Sequence, residues 1–155
     1  MLQLIETERD IEPSMAGKKA PRRFLDFAIS GAPMYPVIRS KALDLITPIW
    51  LDDKVAQDEV LHSIRRLTGK ERGNAPLGRV IVYECAECGD IGCGAITVAL
   101  GIDRRAVTWA DWGYQTNYEE AIGRNGLEDL PDVVFNRISY EHVFADAVNR
   151  VIGNR

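Results

Sequence analysis

Two stretches of this chain hold the residue types that could do chemistry. The first is Cys85-Ala-Glu-Cys88-Gly-Asp-Ile-Gly-Cys93-Gly, which carries all three cysteines within nine residues. A CxxC turn can aim two thiolates at one metal ion, as zinc knuckles do. A closed zinc site takes four ligands, however, and only Cys93 follows. His62, Asp90 or a water are the candidates for the fourth position, and zinc is the cofactor this reading allows. A redox reading makes Cys85 and Cys88 a reversible dithiol, but such pairs are activated at a helix amino terminus, and here a glycine-rich turn and a strand follow. The plainest reading is packing, with no cofactor. The thiols are then small, part-buried groups in a tight strand-to-strand connection, where Gly89, Gly92 and Gly94 supply positive φ or close approach.

The second stretch is Trp109-Ala-Asp111-Trp112-Gly-Tyr114-Gln-Thr-Asn-Tyr118-Glu119-Glu120. Between residues 111 and 132 six acids face one base, Arg124, a local charge of −5 against −4 for the whole chain. Rigid aromatic rings beside steering carboxylates make a contact surface for a basic protein partner. Its candidate residues are Asp111, Trp112, Tyr114, Tyr118, Glu119 and Glu120. The competing reading puts Trp109 and Trp112 in the core and leaves the acids to solvate a loop.

Other chemistries lack their residues. The glycines near Cys88 are followed by neither a helix nor the Lys-Ser/Thr pair of a phosphate loop. No GxSxG-like elbow marks a hydrolase nucleophile. The net charge of −4 on 155 residues lacks the electrostatic attraction on which nucleic-acid binding relies. No apolar run reaches the roughly 18 residues of a membrane span, and the amino terminus carries acids where a secretion signal needs bases. Three cysteines, an odd number, are no disulfide framework and suit a reducing compartment, so a cytoplasmic location is expected.

These residues must be positioned by an ordinary core, for which 46% hydrophobic and 27% charged residues are adequate. Residues 1–22 show no sustained period and are expected to form a loosely held arm ahead of one domain, residues 23–155. Residues 24–29 read as a first strand closed by a Ser30-Gly31-Ala32-Pro33 turn. Pro36 and Pro48 break the next stretch into a short helix or turn and an extended piece. Asp52 or Asp53 is expected to cap a helix through Leu67. Residues 79–83 form a strand covered on both faces, and residues 95–102 and 106–112 a hairpin. A long loop over 113–131 precedes a strand-like run at Val133, and Ser139 caps a last helix with one apolar face. The order of elements predicts an α+β fold, a mainly antiparallel sheet with helices packed on one face.

The run Tyr83-Glu-Cys85-Ala-Glu-Cys88-Gly-Asp90-Ile-Gly-Cys93-Gly-Ala95-Ile-Thr97, followed by Val107-Thr-Trp109-Ala-Asp111-Trp112, resembles a group of small, uncharacterised bacterial proteins common in actinobacteria. Their shared stretch reads roughly Y-V-C-P-E-C-G-D-L-G-C-G-A-V-T, then V-x-W-x-D-F. Phe24-Leu-Asp26-Phe and Leu45-Ile-Thr-Pro-Ile-Trp50-Leu extend the likeness over residues 23–152. Ala86 stands where the group has proline. The resemblance implies that the cysteine loop matters to the group, and it leaves ligand, thiol and fold element open as its role. The acidic-aromatic stretch leads to the expectation of a non-enzymatic cytosolic interaction protein, a toxin-neutralising immunity protein being one form. The alternative is a metal-binding or thiol-redox protein centred on Cys85, Cys88 and Cys93.

Overall fold

The computed structural model describes residues 1–11 and 19–154. Among these, strands β1 (Leu2–Glu8), β2 (Arg23–Ile29) and β3 (Ala32–Pro33) form one sheet in that order. The other sheet runs β4 (Leu45–Ile46), β5 (Val80–Cys85), β6 (Ala95–Ile102), β7 (Ala106–Gln115) and β8 (Val133–Asn136). All of these pairings are antiparallel. The helices are α1 (Tyr35–Ser40), α2 (Gln57–Leu67) and α3 (Arg137–Gly153). α2 packs on α3 and β5, while α3 also meets β1, β7 and β8. The α+β class with antiparallel pairing is the one expected, though its strands divide between two sheets. None of the described helices is long and apolar enough to cross a membrane.

Residues 1–22 depart from the expected loose arm where they are described. β1 pairs with β2 along its whole length, from Leu2 opposite Ile29 to Glu8 opposite Arg23. Its inward residues are only Leu2 and, in part, Leu4, too few to announce a strand by periodicity. The ladder is continued by Arg9, whose N–H donates to the Arg22 carbonyl at 2.9 Å. Residues 12–18 of the expected arm lie outside the described residues.

Aromatic rings join the two sheets. Phe27 of β2 meets Trp109 of β7 edge-on at 4.9 Å and Tyr83 of β5 at 5.9 Å. Such rings bury large areas and prefer this T-shaped geometry. Beneath them a polar tie is fully buried: the Tyr83 hydroxyl donates to Asp26 Oδ1 at 2.5 Å, and the Tyr35 N–H donates to Asp26 Oδ2 at 2.8 Å. Burial raises the Asp26 carboxyl above its ordinary range, and these donors oppose the rise. Tyr140 does similar work for the helices. Its hydroxyl accepts from Trp109 Nε1 at 3.1 Å and donates to the Leu67 carbonyl, at the end of α2, at 2.6 Å.

β7 carries a bulge that the alternating pattern hides. Ala99 pairs with Ala110 but Thr97 pairs with Gly113, and Asp111 sits at φ 55°. The inserted residue resets the alternation, as bulges do. Trp109 and Trp112 therefore both turn into the core instead of facing opposite ways. Buried Arg79 closes the irregularity by donating to the Thr97 hydroxyl and carbonyl, each at 3.0 Å, and to the Asp111 carbonyl.

Two expected helix caps are replaced. α2 starts at Gln57 with no side-chain cap, because Asp52 is engaged elsewhere, accepting from the backbone N–H of Arg23 and of Lys54. α3 is capped by Asn136, whose side chain accepts from the Ser139 N–H at 3.0 Å. The Tyr140→Phe variant leaves the Trp109 N–H and the Leu67 carbonyl without their buried partner, so it is expected to lose about 1–3 kcal/mol. Urea unfolding measures this, and an unchanged midpoint would contradict the account of how α2 is tied to α3.

Candidate metal centre

β5 leaves the core at Cys85 and the chain reverses at once. The Gly89 N–H donates to the Cys85 carbonyl at 2.9 Å, with Gly89 at φ 69°. A single 3₁₀ turn over Ile91–Cys93 follows, capped by Asp90, whose Oδ1 accepts from the Gly92 N–H at 2.8 Å. Gly94, at φ 94°, passes against the Tyr114 hydroxyl, which occupies the place a β-carbon would need. That hydroxyl donates to the Cys93 carbonyl at 3.2 Å. Burial first, and then the Cys93 charge, raise the Tyr114 hydroxyl above its usual range.

The reversal gathers all three thiols. The ligand atoms of Cys85, Cys88 and Cys93 lie within 4.8 Å of one another, and the sulfurs of Cys88 and Cys93 are 3.5 Å apart. Cys88 and Cys93 are exposed and Cys85 is half-buried. The Asp90 N–H points at Cys88 Sγ at 3.4 Å. Hydrogen bonding with Cys88, and then the charge of Cys85, push Cys93 up to about 12. The group can hold a metal ion.

The expected fourth ligands are placed otherwise. His62 faces Glu71, Nδ1 to Oε1 at 2.7 Å, and that carboxylate also accepts from Arg65 Nε at 2.8 Å. The His62 contact, ahead of Arg65, holds Glu71 below its ordinary range. His142 lies on α3, in a groove with Leu61 and Ile64 of α2. Asp90 serves its own turn, and among the described residues no further His, Cys, Asp or Glu joins the three thiols.

The six residues expected to meet a partner do not form one surface. Trp112 is buried, 3% exposed, and its Nε1 donates to the Pro131 carbonyl at 3.0 Å. The bulge turned it inward, and this corrects its assignment to a contact surface. The Asp111 carboxylate is taken by Arg79 at 3.0 Å and Arg124 at 2.7 Å. Tyr114 is half-buried under the cysteine loop. Tyr118, 80% exposed, stands with Glu119 and Glu120 on the outside of the following loop. The two stretches nevertheless adjoin, because the Tyr118 hydroxyl and the Asn117 side chain lie against Gly92.

Several residues around the thiols carried no signal in the sequence. Glu84, next to Cys85, is buried and accepts from Trp50 Nε1 at 2.7 Å. It borders a cavity of about 130 Å³ shared with Glu59, Ser63, Arg66, Asn74 and Cys88. Burial lifts its carboxyl to about 8, against the lowering effect of the Trp50 bond. Glu87, Arg9 and Arg22 form ion pairs beneath the turn. A carboxylate beside a cysteine and two arginines in an apparently irregular segment look like solvated surface until the chain is folded.

No protein-family model, no curated protein and no solved structure matches the chain.

The raised Glu84 value has a consequence for stability. The folded-state value lies above the ordinary 4.5, so the fold prefers the protonated form. This contribution is complete below about 4.5 and is lost as the pH rises through about 8, with the slope set by proton linkage. Gln at position 84 can still accept from Trp50 and does not titrate. Denaturant unfolding at pH 5, 6.5 and 8 should show Glu84→Gln losing less stability with rising pH than the parent protein, and equal slopes would contradict a buried, protonated Glu84.

Proposed function

We propose that this protein binds zinc through Cys85, Cys88 and Cys93, with a fourth coordination position left for water or an incoming ligand. The observation that carries the reading is the 3.5 Å separation of the Cys88 and Cys93 sulfurs within a group spanning at most 4.8 Å. Tetrahedral zinc with Zn–S bonds of about 2.3 Å spaces its sulfurs by about 3.8 Å, so small side-chain rotations bring these thiols onto one ion. The donor set agrees, since clustered thiolates select zinc and other thiophilic metals over magnesium or calcium. The crowding that raises Cys93 is relieved by a bound dication, which favours all three thiolates together.

Three protein ligands with one position unfilled is the pattern of sites that work on something, whereas purely structural zinc is enclosed by four. When bound, the metal would supply Lewis acidity and activation of a coordinated water. The chain's own contribution is to orient the thiols, through the Asp90-capped turn and the Tyr114 hydroxyl on the Cys93 carbonyl.

The partner-contact reading has less behind it. It loses Trp112 to the core and Asp111 to two ion pairs, and retains Tyr118, Glu119 and Glu120. A dithiol reading would pair Cys85 with Cys88, yet Cys88 approaches Cys93, and among the described residues no α-helix begins at the pair.

Elemental analysis of untagged protein purified without chelator is expected to give one zinc per chain, with all three thiols protected from a thiol reagent until chelator is added. Cys88→Ser and Cys93→Ser should each drop the metal content well below one. Metal-free protein with three freely reacting thiols would overturn the reading.

A further inference from the structure

The cysteine turn is fastened from below by side chains that zinc ligation does not itself require. Glu87 lies between the ligands Cys85 and Cys88. Its Oε1 accepts from Arg9 Nη2 at 2.8 Å, and its Oε2 faces Arg22 Nη2 at 3.6 Å. Arg22 Nε donates to the Ala86 carbonyl at 2.9 Å. Both arginine side chains are nearly out of solvent, 1% and 8% exposed. Arg22 also covers the Trp50 ring, 5.7 Å from its centroid, and Trp50 holds Glu84. Residues 84, 86 and 87 of the turn are thus each gripped, two of them by arginines that extend the β1–β2 ladder.

This arrangement is a poor device for stability alone. Among the described residues, Arg9 Nε is buried without a hydrogen-bond partner and Nη1 has only the Asp44 carboxylate, at 3.8 Å, which is costly. The Glu87 side chain is itself 39% exposed, and an ion pair open to solvent adds little stability, whereas fixing one geometry is a well-attested use of such pairs. The geometry fixed here is that of the backbone between two metal ligands, where carboxylates and their partners commonly orient the ligating groups.

We infer that Glu87, clamped by Arg9 and Arg22, is a positioning residue for the metal centre, holding the Cys85–Cys88 turn in its ligand-ready form. The inference rests on the zinc reading above. It adds that metal affinity depends on the β1–β2 hairpin, since the two arginines sit where that hairpin opens. Linkage makes the dependence reciprocal: zinc must in turn steady β1 and β2.

Competition of the full chain against a zinc chelator tests this. Glu87→Gln, which keeps the shape and removes the charge, should bind zinc about 10- to 100-fold more weakly. Arg22→Lys, which cannot reach both Ala86 and Glu87, should fall between the two. Val151→Ala is the control: it thins the buried face of α3 and lowers the unfolding midpoint, and its zinc affinity should stay at the parent value. Zinc should slow amide exchange at Leu4–Thr7 in the parent protein and have little effect there in Glu87→Gln. Parent protein that binds no zinc would overturn the zinc reading and the inference with it. Tight binding by the parent, matched by Glu87→Gln and Arg22→Lys, would overturn the inference alone.

Discussion

Three thiols within 4.8 Å of one another at the end of one strand set the constraint around which this structure is arranged. Thiols that close disfavour ionising together, since hydrogen bonding with Cys88 and then the charge of Cys85 raise Cys93 to about 12, and a flexible loop would let them drift apart. They are held together because the backbone on both sides is fixed. Gly89 and Gly94 adopt positive φ, and at Gly94 a side chain would collide with Tyr114; Asp90 caps the short 3₁₀ turn, and Tyr114 fastens the Cys93 carbonyl. Below the turn, Glu84 and Glu87 are anchored by Trp50 and by two buried arginines. The grip is built from the chain's own side chains, as preorganisation at a proposed binding site requires.

The core makes that grip rigid. β5 is buried on both faces and is tied to β2 through Tyr83 and Asp26, so the strand that delivers Cys85 is fixed in two sheets at once. β7 delivers Tyr114 from the other side, and its bulge is closed by Arg79 and Arg124 on Asp111. The cysteine loop and the acidic loop, separate in sequence, therefore become neighbours, with Tyr118 against Gly92. A ligand approaching the thiols from this side would meet exposed Tyr118.

Elements with a strong period were legible in the sequence. β5, the β6–β7 hairpin, α2 and α3 follow from their apolar spacing, and the glycine-rich turn from its composition. Three features were not. β1 has too few inward residues to announce a strand, so Arg9 and Arg22 read as part of a loose arm. The bulge at Asp111 breaks the alternation by one residue, and only the register of β6 against β7 reveals that Trp112 turns inward. Helix starts failed where a nearer competitor took the capping group, as Arg23 and Lys54 take Asp52. For the site, the cysteine spacing named the three candidate residues but offered three roles for them. Only folding decides which sulfurs meet, and Cys88 stands 3.5 Å from Cys93, a contact outside the CxxC pair. Glu87 and its arginines lie 65 or more positions apart in sequence, and no local pattern links them.

The most direct test of the metal centre is the absorption spectrum of the protein titrated with cobalt(II) under reducing conditions. Cobalt takes the tetrahedral place of zinc and reports on its own ligands. Saturation is expected at one cobalt per chain, with strong thiolate-to-cobalt charge transfer and the intense visible bands of a four-coordinate ion, bleached by added zinc. A spectrum no different from that of hydrated cobalt would contradict the metal centre.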